Sequence, residues 1–275
     1  MTLAILTRSG YFTNQLVKMP STDTTRTQSE RADLTRSRIL DAAISAFSES
    51  GLAGARTEQI AEAAGVNKAL LYYYFKGKDA LYAAAIDEVA ERVVRNSMAA
   101  MLSASTAGEQ VVMAALNHFD RIHSQPAFQS LMQQEMMRLH RGEENALAPL
   151  VEKVFRPMMT RLRESLAEGI RTRELIRADV WQIMYSAFGA NVFYFLSAPM
   201  VGLVLQSNPL DRSAMEFRRK AAIEFLGQAI FTDRKHGARI AARVLKNTPM
   251  PPSREFKPRR FKTAAFNKRI GVDVK

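Results

Sequence analysis

Apolar positions recur at helical spacing along almost the whole chain, and strand-like alternation is not sustained anywhere. The first periodic stretch, 35–50, sets Ile39, Leu40, Ala43, Ile44 and Phe47 on one face, with Thr35 as N-cap and Gly51 just past its end. A shorter stretch follows, with Thr57 as its cap, Ile60 and Ala61 on its apolar side and Gly65 as its stop. A third opens at Asn67 and ends near Tyr74 or Phe75, and Gly77 breaks the chain before a long helix over 78–103. Further helices are predicted at 109–123, 127–140, 147–172, 180–197 and 211–231. Pro126 suits a helix start, Pro157 predicts a kink, and Asp179 and Asp211 open the last two. The pattern is that of an all-α protein without internal repeats.

One segment departs from this amphipathic rule. Between Asp179 and Asp211 lie 31 residues without a charge. Their length suffices for a membrane span, but Gln182, Asn191, Pro199, Gly202, Gln206 and Asn208 interrupt them. A buried helix, 180–197, followed by an apolar loop fits better than a span. Trp181, Tyr185, Phe188, Phe193 and Phe195 surround that helix, and one apolar on all sides needs more cover than one protomer supplies. Helices 180–197 and 211–231 are therefore the candidate surface for a homodimer.

Charge sharpens the domain plan. The net charge is +12, yet residues 233–275 hold 13 Lys/Arg against 3 Asp/Glu, while 35–232 hold 22 against 21. The predicted layout is a disordered N-terminal extension, 1–34, a compact body, 35–232, and a basic, disordered tail, 233–275. Met19 is a candidate alternative start. Such a tail attracts phosphates without reading sequence, or is simply solvated. The apolar run from Met1 to Leu6 is too short for a secretory signal. With no cysteine, disulfides, thiolate metal sites and cysteine nucleophiles are excluded, which agrees with a cytoplasmic location.

Candidate chemistry is sparse. His118, His123 and His140, five and then seventeen apart, lack metal-ligand spacing and are expected at the surface or at helix caps. No Gly-rich phosphate loop or Ser-centred elbow appears, so neither an enzyme nor a cofactor is expected. Phe119, Phe128, Met132, Met136, Phe155, Met159, Met184 and Phe188 are candidates to line a cavity for a hydrophobic ligand; packed core is the alternative for each.

The most informative stretch is Val66-Asn-Lys-Ala-Leu-Leu-Tyr-Tyr-Tyr-Phe75, behind the glycine-closed helix at Thr57. Two short helices joined by a tight turn can insert one helix into a major groove and brace it with the other. Val66 and Leu71 are expected to face the core with Ile60, Phe47 and Phe75. That leaves Asn67, Lys68, Ala69, Leu70, Tyr72, Tyr73 and Tyr74 for DNA. Lys68 reaches a guanine edge or a phosphate, Leu70 a thymine methyl, and tyrosine hydroxyls reach phosphates. Thr57, at a helix N-terminus, and Lys78 are further phosphate candidates. An ordinary helical hairpin with an aromatic core remains the alternative, as does a sequence-independent architectural DNA binder. Residues 35–81 carry only 6 Lys/Arg against 5 Asp/Glu, so the domain is not strongly basic.

Arg38-Ile-Leu-Asp-Ala-Ala43, Phe47, Gly51, Thr57, Ile60-Ala61, Ala64-Gly65-Val66, Lys68, Leu71-Tyr72, Tyr74-Phe75, Lys78 and Leu81, in that order, resemble the N-terminal domain of the TetR family of bacterial transcriptional regulators. The resemblance implies an N-terminal three-helix helix-turn-helix DNA-binding domain (35–81, continuing into the linking helix 78–103), followed by a larger helical effector-binding and dimerisation domain (82–232). It further implies a homodimer on a double-stranded operator, most often a repressor released by a small apolar effector. Positions matching Thr57, Lys68, Ala69, Tyr72, Tyr73, Tyr74 and Lys78 would touch the operator. Ala69 stands where many members have glycine or threonine, and Gly77 where many have serine.

Overall fold

The computed structural model describes residues 27–252, and among these it has ten helices and no strand. Helix α1 is Gln28–Gly54, α2 Thr57–Ala63, α3 Lys68–Tyr74, α4 Lys78–Leu102, α5 Ala107–Ser124 and α6 Pro126–His140. Helix α7 covers 147–171 and α8 Val180–Leu205, each with a π-helical turn inside. Helix α9 is Arg212–Ile230 and α10 Arg234–Asn247.

α1 starts earlier than its apolar face. Thr27 accepts from the Glu30 backbone N–H at 3.2 Å, and the Glu30 carboxylate accepts from the Thr27 N–H at 2.7 Å, a reciprocal capping box. Thr35 is therefore mid-helix, and the part of the expected disordered extension from residue 28 onward is helical. Residues 1–26, including Met19, lie outside the described residues. The regular helix breaks at Gly51, φ 70°, where the apolar pattern placed its end.

Pro157 acts through a change of register. The turn Val151–Phe155 is π-helical, and the Arg156 N–H bonds to the Val151 carbonyl, so the expected bend is absorbed just before the proline. At Pro199 the expectation failed: no loop follows residue 197, and α8 continues to Leu205. Pro199 removes a single backbone bond, and the helix ends where Gln206 turns left-handed, φ 49°. By length and composition α8 could cross a bilayer. One side of it packs on α5, where buried Asn191 donates from Nδ2 to the Ala115 carbonyl at 3.2 Å.

The largest correction concerns the tail. Residues 234–247 form α10, capped by Asp233, and bury Gly237, Ile240, Ala241 and Val244 against α9 and α5. The charges lie on its outer side. Arg219 of α9 pairs with Asp120 of α5 at 2.6 and 2.7 Å and also donates to the Thr248 carbonyl at 2.7 Å, fastening the end of α10. Residues 253–275 lie outside the described residues.

Two apolar cores result. One joins Phe47, Ile60, Leu71 and Leu81 to Tyr82, Ile86, Val89, Phe128 and Met132, crossing the expected boundary at 81/82. The other gathers Val112, Leu116, Leu162, Leu175, Ile223 and Ile240. α9 and α10 cross at Gly227 and Gly237, where a β-carbon on Gly237 would lie 1.9 Å from the Gly227 carbonyl oxygen. A backbone oxygen cannot step aside, so Gly237→Ala is expected to cost about 1–3 kcal/mol. Chemical denaturation will show it as a lowered midpoint at unchanged slope.

Candidate nucleic-acid interface

α3 is seven residues long, too short to persist alone. Three contacts fix it. Asn67 caps it, accepting from the Leu70 N–H at 2.7 Å. Leu71 is fully buried among Phe47, Ile60 and Phe75. Gly65, at φ 65°, turns the chain from α2 so that the Val66 N–H reaches the Ala61 carbonyl at 3.0 Å.

With one edge anchored, the opposite edge stands free. Lys68 and Ala69 are exposed, Leu70 and Tyr74 half-buried, and Tyr72 39% and Tyr73 79% exposed. Tyr74 packs on the first core and meets the Tyr73 ring edge-on at 5.4 Å. The Lys68 ammonium is not idle: it pairs with Glu58 of α2 at 2.5 Å and lies 5.7 Å from the Tyr72 ring. The hydrogen bond and charge of Glu58 raise the Lys68 pKa, and the bond to Lys68 lowers that of Glu58. Both groups are open to solvent, so the pair is weak and exchangeable.

Thr57 and Lys78 are not placed as expected. Arg56, not Thr57, is the N-cap of α2, and it makes no side-chain cap bond. Thr57 is buried, its hydroxyl 3.4 Å from that of Tyr72. It therefore orients a tyrosine rather than presenting a bare hydroxyl. Lys78 donates to the Ala53 carbonyl at 3.2 Å, tying the start of α4 to the end of α1. Gly77, at φ 144°, is the N-cap of α4 and supplies no side-chain cap.

The sequence pattern did not reveal how this face is joined to the rest. Gln134 of α6 donates from Nε2 to the Phe47 and Ser48 carbonyls at 3.2 and 3.1 Å, and the Ser130 hydroxyl donates to the Ser48 carbonyl at 2.6 Å. Beside them, buried Glu135 accepts from the Tyr82 hydroxyl at 2.6 Å and from Arg138 at 3.1 Å. Desolvation, and then the Glu135 bond, raise the Tyr82 pKa. Backbone acceptors carry no side-chain signal, so no spacing rule points to this joint.

The eight ligand candidates divide between the two cores. Phe128 and Met132 are buried in the first, and Met159, Met184 and Phe188 pack against the second. Phe119 is fully buried, 5.2 Å from the Phe195 ring, while Met136 and Phe155 are exposed. Two concavities of about 510 Å³ are lined by other residues, one by Met98, Leu102 and Pro157, the other by Thr106, Gln110 and Glu174. His140 bonds the Met136 carbonyl at 2.8 Å at the end of α6. His118 is not at the surface: its Nδ1 is enclosed and its ring lies edge-on to Phe188 at 4.9 Å.

Family models decide the affiliation. Residues 39–85 match "Bacterial regulatory proteins, tetR family", and residues 109–226 match "Tetracyclin repressor-like, C-terminal domain". The chain belongs to the TetR family. Among individual relatives, the HTH-type transcriptional regulator RutR of Escherichia coli strain K12 is 46% identical over 66 residues, 24% of this chain and 31% of RutR. The chain thus spans about a third of the length of the relatives it matches first. The regulator FadR of Bacillus subtilis, solved with stearoyl-CoA, superposes with a TM-score of 0.52 at 19% identity, over 69% of this chain and 96% of FadR. A gamma-butyrolactone receptor superposes at 0.56 and 19% identity, over 79% of this chain and all of the receptor. At that identity both attest the fold alone. In this TetR-family chain the two helices joined by the turn at Gly65 are α2 and α3.

Glu58 both holds Lys68 and adds negative charge beside the free edge of α3. Glu58→Gln is expected to tighten binding to a DNA duplex several-fold and to steepen its salt dependence, since one more cation is available to phosphate. Fluorescence anisotropy across a salt series measures both.

Proposed function

We propose that this protein is a ligand-responsive repressor that binds a two-fold operator as a homodimer in the cytoplasm. The observation that carries the proposal is the free edge of α3, with Lys68, Ala69, Tyr72 and Tyr73 outward and Leu71 locked inward. Lys68 and Leu70 suit base edges, and Asn67, Tyr72, Tyr73 and Tyr74 suit phosphate or sugar. Thr57 and Lys78 act at one remove, through Tyr72 and through the seat of α4.

Large apolar side chains left bare on α8 and α9 support dimerisation. Tyr185, Phe193 and Val204 are exposed on α8, as are Phe217 and Phe225 on α9. A bilayer would suit α8, but α9 carries Arg212, Glu216, Lys220 and Glu224 beside its phenylalanines. A second copy of the same helix pair covers both faces without burying those charges. Two α3 helices would then meet half-sites about 34–36 Å apart.

Relatives solved with stearoyl-CoA or named as butyrolactone receptors support a small effector with an apolar body. The bonds from Gln134 and Ser130 to the end of α1 are the natural relay. An effector that favours one setting of α6 and α4 resets the spacing of the recognition helices, and operator affinity falls by its differential binding.

Selection of bound duplexes from a random pool is expected to return an inverted repeat. Lys68→Ala should weaken binding to it by about 10- to 100-fold, the value of one base or phosphate contact in such an interface. Phe225→Asp should give a monomer by analytical ultracentrifugation and lose operator binding with it. A random-sequence duplex bound as tightly as the selected one would instead support an architectural protein.

A further inference from the structure

The C-terminal half encloses a positive charge that forms no ion pair among the described residues. Arg121 of α5 is 8% exposed, and its Nε and Nη1 have no hydrogen-bond partner. The neighbouring carboxylate, Asp120, is occupied by Arg219 in a two-bond pair. Arg121 rests instead over the Phe128 ring, 5.0 Å from its centre. One turn earlier, His118 presents an enclosed Nδ1, also without a partner. Across from it on α8, Phe188 meets the His118 ring, and Asn191, one turn further along, has its Oδ1 enclosed and unpartnered. Three side chains on two packed helices, α5 and α8, thus leave buried polar atoms unsatisfied. The α8 backbone there is itself loosened, into the π-helical turn Tyr185–Gly189.

A buried polar atom without a partner is rare in folded proteins, and a buried charge without one is strongly unfavourable. Proton loss does not relieve it. Burial lowers the Arg121 pKa only to about 10, so the group stays charged at neutral pH. Burial and the Arg121 charge press the His118 pKa well below its ordinary value, so that imidazole is neutral and able to donate or accept. A single unit charge calls for a monoanion, since a phosphate dianion would leave an excess negative charge. Arginine's planar fork favours a carboxylate.

We propose that Arg121, with the neighbouring His118, anchors the carboxylate of a small organic acid whose apolar body lies along Phe128 and Phe188. This deepens the ligand-responsive assignment and depends on it for any effect on DNA. It replaces a wholly apolar effector with one that carries a charged end.

The test uses the full chain with octanoate and benzoate at millimolar concentration, each against its uncharged amide, octanamide or benzamide. At least one acid is expected to raise the thermal midpoint by about 2–5 °C, and the amides to leave it unmoved. Arg121→Met should abolish that response and melt higher than the parent without ligand, its unpaired charge being gone. Arg121→Lys should keep part of the response. No acid-specific shift, or one that survives in Arg121→Met, overturns the proposal, and the acid–amide comparison needs no variant to fold. Operator binding is read separately. An acid that binds yet leaves DNA affinity unchanged keeps the anion site and removes the ligand-responsive assignment, whereas absence of any DNA preference removes the regulator assignment alone.

Discussion

A seven-residue helix cannot hold its own shape in water, and the proposed contact with DNA depends on α3 being held by others. Leu71 is the anchor: it is fully buried, and the residues around it, Phe47, Ile60 and Phe75, come from α1, α2 and the end of α3 itself. Because a helix has one buried edge per anchor, fixing Leu71 also fixes which side chains face out. The same side-chain burial that stabilises the domain therefore orients the exposed edge proposed to meet DNA. The pairing of Lys68 with Glu58 adds little to that stability, since both are solvated, but it parks the lysine on the surface it would use.

The first core does not stop where the DNA-binding domain was expected to end. Tyr82, Ile86, Val89 and Met132 share it with Phe47 and Leu71, and α6 donates three hydrogen bonds to the carbonyls at the end of α1. A packed core does not deform smoothly, so a shift of α6 moves α1 as a body instead of dissipating between the two halves. Glu135 reinforces this. Its buried carboxylate accepts from Tyr82 of α4 as well as from Arg138 on its own helix, so parting α4 from α6 would cost a buried hydrogen bond.

Much of this was legible in the chain because period and punctuation agreed. Helix α4, the turn at Gly65 and the break at Gly77 follow from apolar spacing and from glycines that the structure holds at positive φ. What escaped was governed by polar atoms or by partners distant in sequence. The start of α1 is set by a Thr27–Glu30 capping box in a segment without an apolar face. α10 was hidden by its charge, although Gly237, Ile240, Ala241 and Val244 keep helical spacing on one side. Pro199 suggested a loop, but the chain tolerates one missing bond and stops at Gln206. In the candidate interface, residue identity pointed to Lys68 and the tyrosines; that Thr57 turns toward Tyr72 and Lys78 toward Ala53 required coordinates.

The fate of the apolar surface on α8 follows from its neighbour. An isolated helix with Tyr185, Phe193 and Val204 exposed gains as much from lipid as from protein, so composition alone leaves its solvent undecided. α9 removes that freedom. Its exposed phenylalanines alternate with arginine, lysine and glutamate, and α10 fastens it from behind through the Gly227–Gly237 contact and the bond from Arg219 to the Thr248 carbonyl. α8 cannot enter a bilayer without drawing that charged helix toward it, at a cost of a few kcal/mol for each charge. Two copies meeting face to face bury the same aromatic surface and leave the charges at the rim, in water. α10 thus has a structural role: it keeps α9 where α8 needs it.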